Sequence, residues 1–357
     1  NVNGVDFHPD GTQVASASND GSIRLWNVAD GSDARPPLTG HGTPVGVMYV
    51  AYSPDGAKLV TGGNDHTARL WDVATGAEIT PPSPVTASGA NGGIYWVGFG
   101  PDGLSIFTAA SDTVIKQWAV ADGSVIVDFP GLTHGALDGA LSLDGTLLAT
   151  ADANHQVATW DVTSGDMLGK TAQHGDAAWS VDLSPDGVTM ASGSADGTAK
   201  FWNVSDRTEI VKPSPITGLT SVWTVEYSPD GNVLATGDAT GMVKLWEVAT
   251  GNLLATGSGH TDKVYQVAFN PNGADLVSGG MDDTVILWDV SEWVPPVGPT
   301  IVISTPTLYQ VLDAGTMSTP LTVAITDHAA PGYWAWRHDT PFPDTGAIPA
   351  GAPSVPT

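Results

Sequence analysis

The chain has 357 residues, long enough for two or three domains and a sizeable core, and its 38 acidic against 12 basic side chains give a net charge of −26. Such a field repels phosphate backbones and anionic lipid surfaces, which argues against nucleic acid as a partner and against membrane insertion; no stretch approaches the ~18 consecutive apolar residues of a spanning helix. The lack of cysteine rules out disulfides, thiolate metal sites and cysteine nucleophiles, while 43 glycines, 26 prolines and only 14% charged residues favour turns over helices.

In chain order, one turn motif recurs: His8-Pro9-Asp10-Gly11, Ser53-Pro54-Asp55-Gly56, Gly100-Pro101-Asp102-Gly103, Ser142-Leu143-Asp144-Gly145, Ser184-Pro185-Asp186-Gly187, Ser228-Pro229-Asp230-Gly231 and Asn270-Pro271-Asn272-Gly273. A tryptophan follows each copy 17 residues after the proline or Leu143, at Trp26, Trp71, Trp118, Trp160, Trp202, Trp246 and Trp288. Successive tryptophans lie 45, 47, 42, 42, 44 and 42 residues apart, so every insertion falls between a tryptophan and the next turn, in a variable loop. Runs such as Val264 to Phe269, Asp275 to Ser278 and Thr284 to Trp288 are short and rich in β-branched and aromatic residues, and read as strands. The Pro-Asp-Gly between the first two fits a tight turn, with Pro fixing φ and Gly taking a left-handed final position. A fourth strand fits the segment after each tryptophan, for example Ala77 to Thr80, so each unit is expected to be a four-stranded antiparallel sheet.

With Gly40-His41 and Gly259-His260 upstream, and Leu70-Trp71-Asp72-Val73 and Leu287-Trp288-Asp289-Val290 at the unit ends, residues 1–290 resemble the WD40 repeat family. The resemblance implies an all-β, seven-bladed β-propeller over residues 1–290, followed by a short β-rich tail over 291–357.

Ten residues before each tryptophan stands a hydroxyl, and six before it usually an aspartate. Units two, five and seven add a histidine: His41, Thr61, Asp65, Trp71; His174, Ser192, Asp196, Trp202; His260, Ser278, Asp282, Trp288. The set imitates a catalytic triad, but a triad needs one reachable copy beside an oxyanion site, whereas repetition argues for structure. The resemblance implies a buried network tying outer strands to inner ones. Unit six looks weakest, with Thr240 in the Asp position and no His; unit four has Asn154 there, and its His134 is displaced by two residues; unit three lacks the His.

In the family, partners generally bind on the face formed by loops entering the innermost strands. Six residues before each turn proline stand Asn3, Met48, Tyr95, Leu137, Trp179, Trp223 and Tyr265. Aromatic side chains near the centre of a face anchor interfaces, and Trp96 and Lys263 would extend this one. The competing reading, which the sequence alone favours, is that these rings pack against the neighbouring blade. Catalysis or channel Ca²⁺ binding would need acids converging from several blades, and three or more carboxylates lining the channel would reverse a non-enzymatic reading. The sequence displays no such set, so no catalytic residue, metal or cofactor is expected, an isolated loop calcium aside.

After Val290 the pattern stops, and residues 291–357 hold 11 of the 26 prolines. Thr300 to Ser304, Leu321 to Thr326 and Tyr333 to His338 read as strands, weakly resembling the start of an immunoglobulin-like module, and Thr340 to Thr357 reads as a linker to a further neighbour. Because Asn1 to Phe7 is already an innermost strand, the outermost strand of blade seven must come from elsewhere: from Thr300 to Ser304 in the favoured arrangement, from another molecule by strand exchange, or from nowhere. The expected function is a non-enzymatic protein-interaction or assembly scaffold, part of a secreted or surface-displayed prokaryotic protein, binding other proteins, copies of itself or neighbouring modules. The alternatives are an intracellular WD40 adaptor in the cytoplasm and, more remotely, a glycan-binding or hydrolytic propeller.

Overall fold

A computed structural model describes residues 1–42, 46–86 and 92–294, together with the backbone of Val311–Asp313. The sequence-predicted strands at 300–304, 321–326 and 333–338 and the linker at 340–357 lie outside the described residues. The architecture is all-β: seven antiparallel sheets, each beginning with an innermost strand, in order Val2–Phe7, Val47–Tyr52, Ile94–Phe99, Ala136–Leu141, Ala178–Leu183, Val222–Tyr227 and Val264–Phe269. Neighbouring innermost strands contact one another around a ring, and the strand Val2–Phe7 touches Val264–Phe269, which closes it.

The turn after each innermost strand is built as its residue types dictate. The amide of the glycine bonds the carbonyl three residues back, as in Gly56 N–H to Ser53 at 2.8 Å, and all seven glycines have positive φ between 68° and 77°. The turn aspartate caps the exit by accepting an amide two residues on, as Asp10 does from Thr12 at 2.9 Å.

Blades one to four, six and seven carry four strands, but blade five has three. There the segment expected to form the outer strand touches the third strand only through isolated bridges, Trp202 to Glu209 and Ala199 to Ile216. Its Pro213 and Pro215 lack the amide hydrogens a continuous ladder needs. In blade seven the outermost strand is Val311–Asp313, paired antiparallel with Thr284 to Ile286. The tail thus fills this slot within the same chain, through a segment C-terminal to the expected one.

The core is divided into clusters, each straddling two blades. Trp71 of blade two lies with Ala15, Ile23 and Leu25 of blade one, and Trp202 of blade five with Ala149 and Val157 of blade four. Trp26 of blade one joins Val277, Val285 and Leu287 of blade seven, which makes the closing interface equivalent to the rest. Each indole Nε1–H donates to the hydroxyl ten residues earlier, at 2.8 to 3.1 Å in every blade.

In blades two, five and seven a buried histidine adds a second bond to that hydroxyl: His41 to Thr61 at 2.8 Å, His174 to Ser192 at 2.7 Å, His260 to Ser278 at 2.8 Å. The other ring nitrogen meets Asp65 at 3.0 Å, Asp196 at 3.3 Å and Asp282 at 3.0 Å. Partial burial pushes the Asp282 carboxyl up, but the His260 bond and charge outweigh it and hold its pKa at about 2. Blades four and six contain a substitution that motif reading missed. Two residues before the expected position, buried Asp152 and Asp238 accept the turn amides of Asn154 at 2.9 Å and Thr240 at 2.8 Å. Lys170, 3.2 Å from Asp152, and Lys244, 3.9 Å from Asp238, stand as the partners of these carboxylates where histidine stands elsewhere. His134 is exposed and, among the described residues, bonds its neighbour Thr133.

The two architectures predict different sensitivities. Thr61→Val leaves the Trp71 Nε1–H and the His41 Nε2 without a partner and is expected to cost about 2–4 kcal/mol, whereas Thr108→Val in blade three orphans one indole and should cost about 1–3 kcal/mol. Equilibrium chemical denaturation of the two variants checks the order.

Candidate functional site: the mouth of the central channel

Each innermost strand begins with a β-bulge at the same place. In blade seven Val264 pairs with Gly280 and Gln266 with Gly279, so Tyr265 is the extra residue; the same shift isolates Asn3, Met48, Tyr95, Leu137, Trp179 and Trp223. A bulge re-aims a side chain out of the alternation of its strand. All seven bulged residues line a central cavity of about 560 Å³, at the end where the innermost strands begin.

The rings are not equivalent. Trp179 and Trp223 stack with centroids 4.4 Å apart, Tyr265 meets Trp223 edge-on at 5.3 Å, and all three are half-buried. Lys263 Nζ lies 5.0 Å from the Trp223 ring centroid, a cation–π distance. Blades five to seven thereby share a continuous aromatic rim. Met48 instead sits among Asn3 and Asn64 side chains, and Tyr95 joins no aromatic contact among the described residues. Trp96 also lines the cavity but is not part of the half-exposed rim. It is 4% exposed and packs in the core between blades three and four, over Gly98 and Gly139, where an added Cβ would come within 2.8 Å of its ring. The bulge at Tyr95 separates the two neighbours: one side chain is sent to the mouth and the next to the blade interface.

Below the rim the expectation of a channel without converging acids fails. Asp6, Asp138, Asp182 and Glu226, from blades one, four, five and six, all line it. The sequence signal was their placement three or five residues before the turn proline or Leu143, the positions that face the axis once the bulge has set the phase. Each carboxylate accepts an amide of the next innermost strand: Tyr52 N–H to Asp6 at 2.7 Å, Val181 to Asp138 at 3.1 Å, Tyr227 to Asp182 at 2.8 Å and Phe269 to Glu226 at 3.2 Å. Neutral side chains do the same, Ser180 for Val225 at 3.1 Å at the junction that Asp182 also serves and Gln266 for Val5 at 3.1 Å across the seam between blades seven and one. Among the described residues no three His, Asp or Glu side chains are close enough to hold a metal ion.

Burial pushes the Asp6, Asp138 and Asp182 carboxyls up to about 7, against the backbone bonds that lower them. Burial and then the charge of Asp182 push Glu226 well above the carboxylate range, and the Tyr49 phenol beside them is raised by burial and by all four acids.

The profile of the WD40 family (WD domain, G-beta repeat) matches residues 1–27, 35–72, 165–203, 214–247 and 251–289. The chain belongs to this family, and its structure is the seven-bladed β-propeller of such repeats. The matches skip residues 73–164, where blade three ends in Gln117-Trp118-Ala119 and neither blade three nor blade four has the histidine network. A comparison with curated proteins finds no match.

The channel acids predict an unusual pH dependence. A carboxyl whose pKa is raised on folding binds its proton more readily in the folded chain between about 4 and 7, so stability is gained as pH falls through 7 and lost as it rises. His174 opposes this: burial lowers its pKa to about 4, so acidification below roughly 6.5 costs stability through that one group. Thermal melts are expected to show a higher Tm at pH 6 than at pH 8. The triple variant Asp6→Asn, Asp138→Asn, Asp182→Asn, which keeps acceptors for the three amides, should be more stable at pH 8 and flatten the difference.

Proposed function

We propose that this propeller is a non-enzymatic protein-interaction scaffold whose docking surface is the channel mouth. The observation that carries the reading is the rim of Trp179, Trp223 and Tyr265, three half-buried rings set side by side by bulges in consecutive blades. Such rings bury large area at small entropic cost, and they tend to carry most of the energy of an interface. The family's general use as a platform for binding other proteins supports the same reading.

The four channel carboxylates are the one observation that favours a second, glycan-binding or hydrolytic reading. As acids converging from several blades they meet the condition for reversing the non-enzymatic reading, and what keeps that reading is their engagement: each holds a backbone amide of the following blade, so the acids serve the junctions between innermost strands. A secreted or surface-displayed setting is supported by the acidic, cysteine-free, lysine-poor composition. An intracellular adaptor is the alternative, and a signal peptide in the full reading frame would decide for the first. Self-assembly by strand exchange has less support, because the outer slot of blade seven is occupied from within the chain.

Photo-crosslinking tests the docking surface. A benzophenone amino acid placed at position 223 is expected to capture a defined protein partner in the source cells or their medium, and one at Val188, exposed at the opposite end of the innermost strands, is expected not to. Equal capture at both positions, or capture only at 188, would remove the channel mouth as the site.

A further inference from the structure

The chemistry of the mouth changes with depth. The rings of Trp179, Trp223 and Tyr265 belong to residues six before the turn proline, Asp138 stands one residue deeper, and Asp182 and Glu226 stand three deeper, about 10 Å along a strand. The rim occupies blades five to seven and these acids blades four to six, so rings and carboxylates lie on one side of the cavity. Among the described residues lining it there is no lysine, arginine or histidine.

The well also has unmet hydrogen-bonding capacity. Among the described residues, Asp138 Oδ2 takes the Val181 amide while its Oδ1 accepts no well-formed hydrogen bond, although the Ser180 hydroxyl lies close enough to lower this carboxyl; at the rim, the indole Nε1–H donors of Trp179 and Trp223 have no acceptor among the described residues. An unpaired buried acceptor costs free energy that a charged donor recovers. Lys263, lying over the Trp223 face, shows that this ring already attracts a cation from its own chain.

We propose that the channel mouth binds a basic peptide segment of a partner protein, one lysine or arginine side chain of which passes the aromatic rim and enters the acid-lined well. The inference rests on the reading of the mouth as a docking surface and names the chemistry that the surface selects. The cation's stem runs along the rings and its head meets the carboxyls of Asp138 and Asp182. Burial raises the Asp138 carboxyl, which marks a site where a negative charge lacks a partner and an incoming cation supplies one. A neutral oligosaccharide also stacks on such rings, but it gives like-charged carboxylates no counter-charge.

Panning a display library of random peptides against the full chain, followed by titration of the enriched sequences as synthetic peptides, tests the proposal. Enriched peptides are expected to share a lysine or arginine, and its replacement by norleucine or citrulline should weaken binding at least about tenfold, the effect of losing one desolvated charge pair. The variant Asp138→Asn, Asp182→Asn, which retains the junction hydrogen bonds, should bind the basic and the neutral peptide alike, with its melting temperature at pH 6 confirming the fold. Enriched peptides that lack a basic residue yet depend on Trp223 would overturn the cation and leave the docking surface standing. Peptides indifferent to Trp223→Ala would overturn both. Failure to enrich any peptide, or preferential binding of neutral glycans on an array, would overturn the proposal.

Discussion

One hydrogen bond recurs in every blade, and the rest of the molecule depends on it: the indole Nε1–H of the third-strand tryptophan donating to the hydroxyl on the second strand. Burying a ring of that size without a partner for its N–H would forfeit part of what its apolar surface gains. With the bond made, the indole sits at a fixed height in its own sheet and presents its hydrocarbon surface to the preceding blade. The constant spacing from turn to tryptophan follows from this geometry, since any insertion between hydroxyl and ring would break the bond. Loops outside that interval are free to vary because nothing in the repeat measures them.

A second constraint acts at the axis. A sheet whose innermost strand faces a channel exposes a row of amides on that edge, and edges of this kind either pair, bind water or recruit side chains. Here the preceding blade supplies acceptors: carboxylates from Asp6, Asp138, Asp182 and Glu226, a hydroxyl from Ser180 and an amide from Gln266. Where blade three meets blade four the same position carries Trp96, and a ring packed over Gly139 replaces the polar clip. The ring of blades is thus fastened at its inner rim, at five of its junctions by such bonds, as well as through its core clusters, and the junction between blades seven and one has both kinds of fastening.

The two constraints together produce the functional surface. Fastening the axis with carboxylic acids leaves an acid-lined well, and the bulges above it turn aromatic side chains over its opening. The charge that holds the blades together is therefore also the charge a ligand would meet. The raised pKa values of the channel acids express this dual role, because each acid is placed where its ionised form is costly without a cation.

The sequence by itself determined the repeat, its number, the strand and turn types, and the identity of the Trp–hydroxyl–His–Asp sets, because all of these are local or recur at fixed spacing. It did not determine which side chains share a space when they come from different repeats. Asp6 and Glu226 are 220 positions apart and unremarkable in their own units, and only closure of the ring sets them in one channel. Tyr95 and Trp96 are adjacent and chemically alike, yet one reaches the mouth and the other the core, because a bulge is a property of the pairing of two strands and of neither alone. Asp152 and Asp238 likewise replace a missing turn aspartate from two residues away, a substitution that becomes visible only when the side chain is seen reaching the amides of Gln156 and Met242, the equivalents of those that Asp65 and Asp282 hold. Periodicity fixed what each blade is; the register within blades and the contacts between them decided what the channel contains.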